Sequence, residues 1–243
     1  MTTLYITGAG VSAESGIPTF RGQDGYWTVG SRNYTPQEMA TRAMYEREPL
    51  AFLRWYYHRF ATYRHHGPNP VHDWLANKSL ITQNVDGLDG KAGNSDFIAI
   101  HGRLDQMTVF HDQNDAGSVR ALATPWDQVD DAHLDQSLRE IFRFQDAPQL
   151  NVSYKPFVLL FDEIYTELYR IQEAQSRMLT ASKMVFMGTS FSVNITHMAL
   201  DIARARSIPV DVVDPNPVDI GYGLCTYHRT TALEYITYAE DGE

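Results

Sequence analysis

Gly8-Ala-Gly-Val-Ser-Ala-Glu-Ser-Gly-Ile-Pro-Thr-Phe-Arg21 follows directly on the apolar, β-branched run 4–7. Gly8-x-Gly10-x-x-Ala13 after a strand fits the dinucleotide fingerprint, whose glycines let the backbone approach a pyrophosphate at a helix N-terminus. A hydride-transferring dehydrogenase would continue through a helix into a second strand ending in Asp or Glu about 20 residues on, to hold the adenosine ribose. Here Ser15-Gly-Ile-Pro18 breaks the helix early, and the chain enters a loop carrying Phe20, Arg21 and Gly22. That loop reads as a flap over a bound cofactor. A tight strand-to-helix turn without a ligand also explains the glycines, but it accounts poorly for Phe20 and Arg21.

Outward from this stretch the same punctuation recurs. Runs 80–82, 97–100, 157–161, 184–187 and 210–213 are short, apolar and β-branched, and each reads as a buried strand. Helix-period stretches at 49–64, 164–180 and 195–205 alternate with them, so the expected fold class is α/β: a Rossmann-like, mostly parallel sheet with helices on both faces. Polar and glycine-rich residues stand just after the strands: Gly8-Ala-Gly10, Gln83-Asn-Val-Asp86, His101-Gly102, Gly188-Thr-Ser190 and Asp214-Pro-Asn216. Ligands of such sheets bind outside the carboxyl ends of the strands, so these five termini are expected to converge on one crevice. His101 places an imidazole there, a group that titrates near neutral pH and accepts a hydroxyl proton without a metal.

We expect one domain over 1–243, with the sheet core at about 1–35, 79–102 and 154–243. A helical excursion at about 36–78, broken by Pro36, Pro49, Pro68 and Pro70, and a small polar lobe at about 103–153, with a helix at 133–144, interrupt it. A net charge of −10 opposes a general affinity for nucleic acid, which rests on clustered Lys and Arg. No run approaches the roughly 20 apolar residues of a membrane span. Cys225 is the one cysteine, so an internal disulfide and a four-cysteine metal site are both impossible. With the first strand expected at 4–7, no secretory signal is expected before it, and the expected setting is the cytoplasm.

The stretch from Gly8 to Gly22, Thr82-Gln-Asn-Val-Asp-Gly-Leu88, Ile100-His-Gly102 and Gly188-Thr-Ser190 stand in the order and approximate spacing of the sirtuins. The chain resembles that family of NAD-dependent protein deacylases. The stretch from Pro156 to Glu163 resembles the family's substrate-binding strand, so the resemblance covers nearly the whole chain except 107–153. It implies NAD as co-substrate, its phosphates against Gly8, Ala9 and Gly10 and against Gly188, Thr189 and Ser190, with Ser12 among the cofactor-binding residues, Arg21 adding a cation and Phe20 shielding the reacting sugar. It implies that Gln83, Asn84 and Asp86 hold the nicotinamide amide and the ribose hydroxyls, and that His101, with Asn84 and Asp86, carries the chemistry. The acyl group of a protein lysine would pass to ADP-ribose with release of nicotinamide. Asp214 or Asn216 could hold the adenine-side ribose, and Asp214 is assigned to it, although Asp-Pro-Asn-Pro is equally a loop and Asp-Gly at Asp86 equally a turn.

The implied substrate is an acylated protein lysine, its peptide added as a strand between Val158, Phe161 and Glu163 on one side and Val193 on the other. Trp55-Tyr-Tyr-His-Arg59 resembles the Tyr-x-x-Arg signature of sirtuins that remove acidic acyl groups, with Tyr56 and Arg59 on one helix face. A helix that packs Tyr56 on the sheet while Arg59 snorkels to water is the alternative. Two departures stand out. Most sirtuins hold a zinc with four cysteines between the His-Gly motif and the substrate strand; this chain has none, so no zinc is expected, and Trp126, Leu134, Leu138, Ile141 and Phe142 are expected to pack the lobe. His65, His66 and His72 match no zinc spacing either. Asp162 replaces the usual Gly of Phe-Gly-Glu, which bears on peptide binding. Transfer of ADP-ribose to another nucleophile or to water, and a noncatalytic NAD-sensing module, therefore stand beside deacylation.

Overall fold

The computed structural model describes residues 2–18, 34–114 and 119–240, so the expected flap residues Phe20 and Arg21 lie outside the described residues. Strands β1 (Thr3–Thr7), β2 (Ser79–Thr82), β3 (Ile98–Ala99), β4 (Gly102–Val109), β5 (Ala121–Ala123), β6 (Tyr154–Val158), β7 (Lys183–Met187), β8 (Val210–Val213) and β9 (Cys225–His228) form two sheets. The larger has the order β3-β2-β1-β7-β8-β9, with every pairing parallel. Counted within that sheet this is the 3-2-1-4-5-6 order of a Rossmann-like fold, and its switch point lies between β1 and β7. The glycine turns Gly8–Gly10 and Gly188 follow those two strands.

Helices α1 (Pro36–Met39), α2 (Arg42–Arg47), α3 (Pro49–Tyr63) and α4 (Pro70–Leu75) precede β2, and α5 (Leu88–Lys91) follows it; α6 (Leu134–Phe142), α7 (Ile171–Thr180), α8 (Asn194–Arg206) and α9 (Ala232–Glu240) complete the order. Pro36, Pro49 and Pro70 each open a helix, where a missing N–H costs nothing. Strand side chains alternate between faces. Met184 and Phe186 turn with Leu4 and Ile6 towards α7 and α8. Val185 and Met187 turn with Leu80 and Val213 towards Val71 and Leu75 of α4 and Ile236 of α9. Helices thus cover both faces.

A third apolar cluster joins α2 and α3 to the lobe, where Trp126, Leu138 and Phe142 are buried and Leu134 and Ile141 pack at its margin. The Trp126 ring lies 5.2 Å from Phe60 and 5.6 Å from Tyr57, so α3 supplies part of the lobe's core. Among the described residues no group of three or more His, Cys, Asp or Glu is placed to hold a metal ion, and no helix is long and apolar enough to cross a membrane.

The structure corrects three boundaries. The run 157–161 is not a strand of the main sheet: β6 ends at Val158 and pairs antiparallel with β4 in a three-stranded sheet, β5-β4-β6. An apolar run carries no mark of its partner, and the pairing rests on Gly102, where an added Cβ would lie 2.0 Å from the Phe157 carbonyl oxygen. The helix expected from 164 starts at Ile171, because Arg170 adopts a left-handed φ of 57° and closes a separate 3₁₀ turn. The strand expected at 97–100 shrinks to Ile98–Ala99.

Candidate active site

The turn after β1 is a short 3₁₀ helix, Ala9–Ser15, stopped by Gly16 in the left-handed region at φ 79°. It is pressed against the turn after β7. The Gly10 N–H donates to the Gly188 carbonyl at 2.9 Å, and a Cβ on Gly10 would stand 2.5 Å from the Gly188 Cα. Only glycines permit this approach, and Gly188 also needs its φ of 59°.

Polar side chains from neighbouring strand ends close over the same point. The Asn84 carboxamide donates to the Gly8 carbonyl and to Ser12 Oγ, both at 3.1 Å, and Ser12 donates to Asp86 at 2.7 Å. The Gln83 Nε2 donates to the Thr7 carbonyl at 3.0 Å and to Thr189 Oγ1 at 3.1 Å. Asn84 Oδ1 is a buried acceptor with no hydrogen-bond partner among the described residues. A buried orphan acceptor costs free energy unless something donates to it. Asp89, one turn beyond Asp86, is buried too, and burial first, then the Asp86 charge, pushes its carboxyl up to about 7.

His101 stands in the turn just after β3, one residue beyond Ile100. Its Nδ1 lies 3.0 Å from the Gln83 carbonyl and its Nε2 lies 2.9 Å from the Tyr165 hydroxyl. A carbonyl only accepts, so Nδ1 carries the proton and Nε2 is the acceptor, taking the Tyr165 O–H. Burial lowers the imidazole to about 4, against a smaller opposing effect of the Gln83 carbonyl. The ring is therefore neutral at neutral pH.

Of the expected site residues, Gly8, Ala9, Gly10, Ser12, Gln83, Asn84, Asp86, His101, Gly188 and Thr189 come together through these turns and bonds. Ser190 follows in the same turn and bonds Ser192 at 2.7 Å. Asp214 follows Val213, whose carbonyl accepts from the Gly188 N–H at 2.9 Å, and its carboxylate closes its own turn by accepting from the Asn216 N–H at 2.8 Å. On the substrate side, Leu159 donates to the His101 carbonyl at 3.0 Å, and Val158 pairs with Gly102, the residue after His101. Glu163 pairs with Lys155 at 3.0 Å and Arg42 at 3.2 Å. The Phe161 side chain is 53% exposed, and its N–H donates to the Ala40 carbonyl at 2.9 Å. Val193 is the extended residue ahead of α8. Tyr56 is buried on Phe52, and Arg59, only 2% exposed, lies over the Trp55 ring at 3.3 Å and donates to the Trp55 carbonyl. Arg59 does not snorkel to water.

Two residues of the site escape the sequence reading. His72 is buried, accepts the Asn69 N–H at Nδ1, and turns Nε2 towards Ser12 at 3.4 Å; its only local signal is Asn69-Pro70, a helix start. Tyr165 has no local signal at all.

Residues 8–195 match the Sir2 family model. The NAD-dependent protein deacylase of Bacteroides thetaiotaomicron is 30% identical over 222 residues, 89% of this chain and 86% of that protein. NAD-dependent protein deacylase 1 of Caldanaerobacter subterraneus subsp. tengcongensis is 42% identical over 109 residues, which span 42% of this chain and 43% of that relative. Under half the length of several curated relatives is matched in this way. A Sir2 homologue solved in complex with NAD superposes with a TM-score of 0.73 at 25% identity, covering 99% of this chain and 90% of that one. With its match running from the first glycine turn to the start of α8, on a sheet whose switch point holds that turn, the chain belongs to the Sir2 family.

Proposed function

We propose that the protein is an NAD-dependent protein-lysine deacylase that passes the acyl group of a modified lysine to ADP-ribose and releases nicotinamide. The observation that carries this reading is the neutral His101 at a strand end, its Nε2 able to take a proton, beside the glycine cradle and the buried Asn84 Oδ1, which has no partner among the described residues. The Bacteroides relative bears the name of such a deacylase, and a structural neighbour holds NAD. NAD, when bound, supplies an electrophilic ribose carbon with nicotinamide as leaving group. Gly8, Ala9 and Gly10 with Gly188, Thr189 and Ser190 cradle its phosphates, and Arg21 and Phe20 serve as its cation and shield. Ser12, Gln83, Asn84 and Asp86 orient the amide and the hydroxyls, and Asp214 holds the far ribose. His101 accepts the ribose hydroxyl proton at Nε2. The acylated peptide lies along Val158, Phe161, Glu163 and Val193.

The proposal extends to acyl groups that carry a carboxylate, with Arg59, a cation buried on α3 three residues from Tyr56, as the group that holds it. It takes the whole chain as one catalytic domain acting on cytoplasmic proteins, with no metal. A second reading, transfer of ADP-ribose to another nucleophile, is favoured by one observation: Phe161 N–H and Asp162 are already engaged by the Ala40–Ala43 stretch, which leaves less backbone for a peptide strand.

Incubation with NAD, with and without acetyl-lysine or succinyl-lysine peptide, followed by mass spectrometry of the products separates the readings. Acyl-ADP-ribose formed only with peptide supports deacylation. Free or protein-linked ADP-ribose supports the second reading, and NAD binding without turnover removes both.

A further inference from the structure

Resting on the reading of His101 as the base, we propose that Tyr165 is its positioning residue. The phenol donates its proton to Nε2, holds the imidazole neutral with its own proton on Nδ1, and covers the acceptor lone pair until a substrate hydroxyl replaces it.

The geometry leaves one arrangement of protons. Gln83 offers a carbonyl to Nδ1, so the Tyr165 hydroxyl faces a lone pair and must donate. This fixes the direction of the chain: Tyr165 O–H to His101, His101 N–H to Gln83. The Ile195 backbone, at the start of α8, pulls the phenol's titration down against the larger effect of burial. The two rings lie near-parallel, 26° apart with centroids at 6.0 Å, so packing as well as hydrogen bonding sets the imidazole plane. Burial raises the phenol to about 12, which keeps it a neutral donor over the working range. The titration of the His101 ring is set by burial first and by the Gln83 carbonyl second. The carboxylates nearest in sequence to the pair are committed elsewhere, Asp105 to Arg103, Glu163 to Lys155 and Arg42, and Glu167 to the Gln172 N–H, while Asp86 accepts from Ser12.

A donor on Nε2 stabilises only the neutral ring, because the protonated ring has no lone pair there to accept it. Removing the hydroxyl therefore raises the affinity of His101 for a proton. The loss of one neutral hydrogen bond moves a titration midpoint by roughly one pH unit.

The test is nitrogen-15 histidine NMR on the full chain, with the His101 signal assigned by its loss in His101→Gln. The wild-type protein at pH 7 is expected to show a neutral ring protonated on Nδ1; a proton on Nε2 overturns the proposal. In Tyr165→Phe, which removes only the hydroxyl, the His101 titration midpoint is expected to rise by about one pH unit. The acid limb of kcat/KM is expected to move up with it. A folded Tyr165→Phe protein whose His101 midpoint does not move overturns the proposal. The spectra need no turnover, so a failed deacylase reading and a failed role for Tyr165 give different results.

Discussion

At the scale of single residues, the site works by removing choices. Gly10 and Gly188 leave no room between two turns, and Gln83 leaves His101 one tautomer. These features differ in how they show in the sequence. The glycines are legible because the need for a missing Cβ is local to each turn. The neutral state of His101 is not, because it comes from burial by the tertiary fold, with Tyr165, 64 residues away, set against Nε2. Arg59 is intermediate: its spacing from Tyr56 is visible, while its burial over Trp55 is a tertiary fact. If Arg59 holds an acidic acyl group, the wild-type enzyme prefers succinyl-lysine to acetyl-lysine peptide, and Arg59→Met reverses that order in a competition assay. An unchanged preference in the folded variant would remove Arg59 from acyl selection.

At the scale of elements, the segment after β6 shows what replaces a missing glycine. Asp162 is not among the residues with positive φ, so the backbone here does not use the freedom that a glycine would offer. Its carboxylate instead accepts from the Arg42 N–H at 2.6 Å and the Ala43 N–H at 3.1 Å, capping α2 from a distant part of the chain. The adjacent Glu163, held by Lys155 and Arg42, fastens the same joint. Asp162→Ala should cost about 1 kcal/mol in urea unfolding, the usual worth of a lost cap; no change in midpoint would show that the cap contributes nothing. Sequence patterning finds the helices α3, α6 and α8 almost to their ends, because each presents one apolar face. It assigns the run 157–161 to the main sheet because β-strand composition is silent about whether the partner is parallel or antiparallel. It also extends α7 back through Arg170, where a left-handed residue that no propensity announces breaks the helix.

At the scale of the whole molecule, two titratable groups near the strand ends make opposite demands on pH. His101, lowered to about 4, stays neutral in the fold while the unfolded chain takes up a proton below about pH 6.5. Its contribution to stability is present above that pH and is lost as pH falls towards 4. Asp89, raised to about 7, keeps its proton in the fold where the unfolded carboxyl has already lost it. Its contribution is present at low pH and is lost as pH rises towards 7. The two oppose each other across the same window. Asp89→Asn should therefore gain stability relative to wild type as pH rises from 4 to 7 and level off above it, measured as the difference in urea midpoints; a pH-independent difference would show that Asp89 does not titrate in that window. The larger assembly of sheet, turns and imidazole serves one claim, that His101 completes acyl transfer to ADP-ribose. The most direct test is the ratio of acyl-ADP-ribose formed to nicotinamide released when NAD and acyl-lysine peptide are supplied. One-to-one formation is expected, falling by at least about 100-fold in His101→Ala, the scale of a lost general base. Nicotinamide released without acyl-ADP-ribose, or full activity in His101→Ala, would contradict that claim.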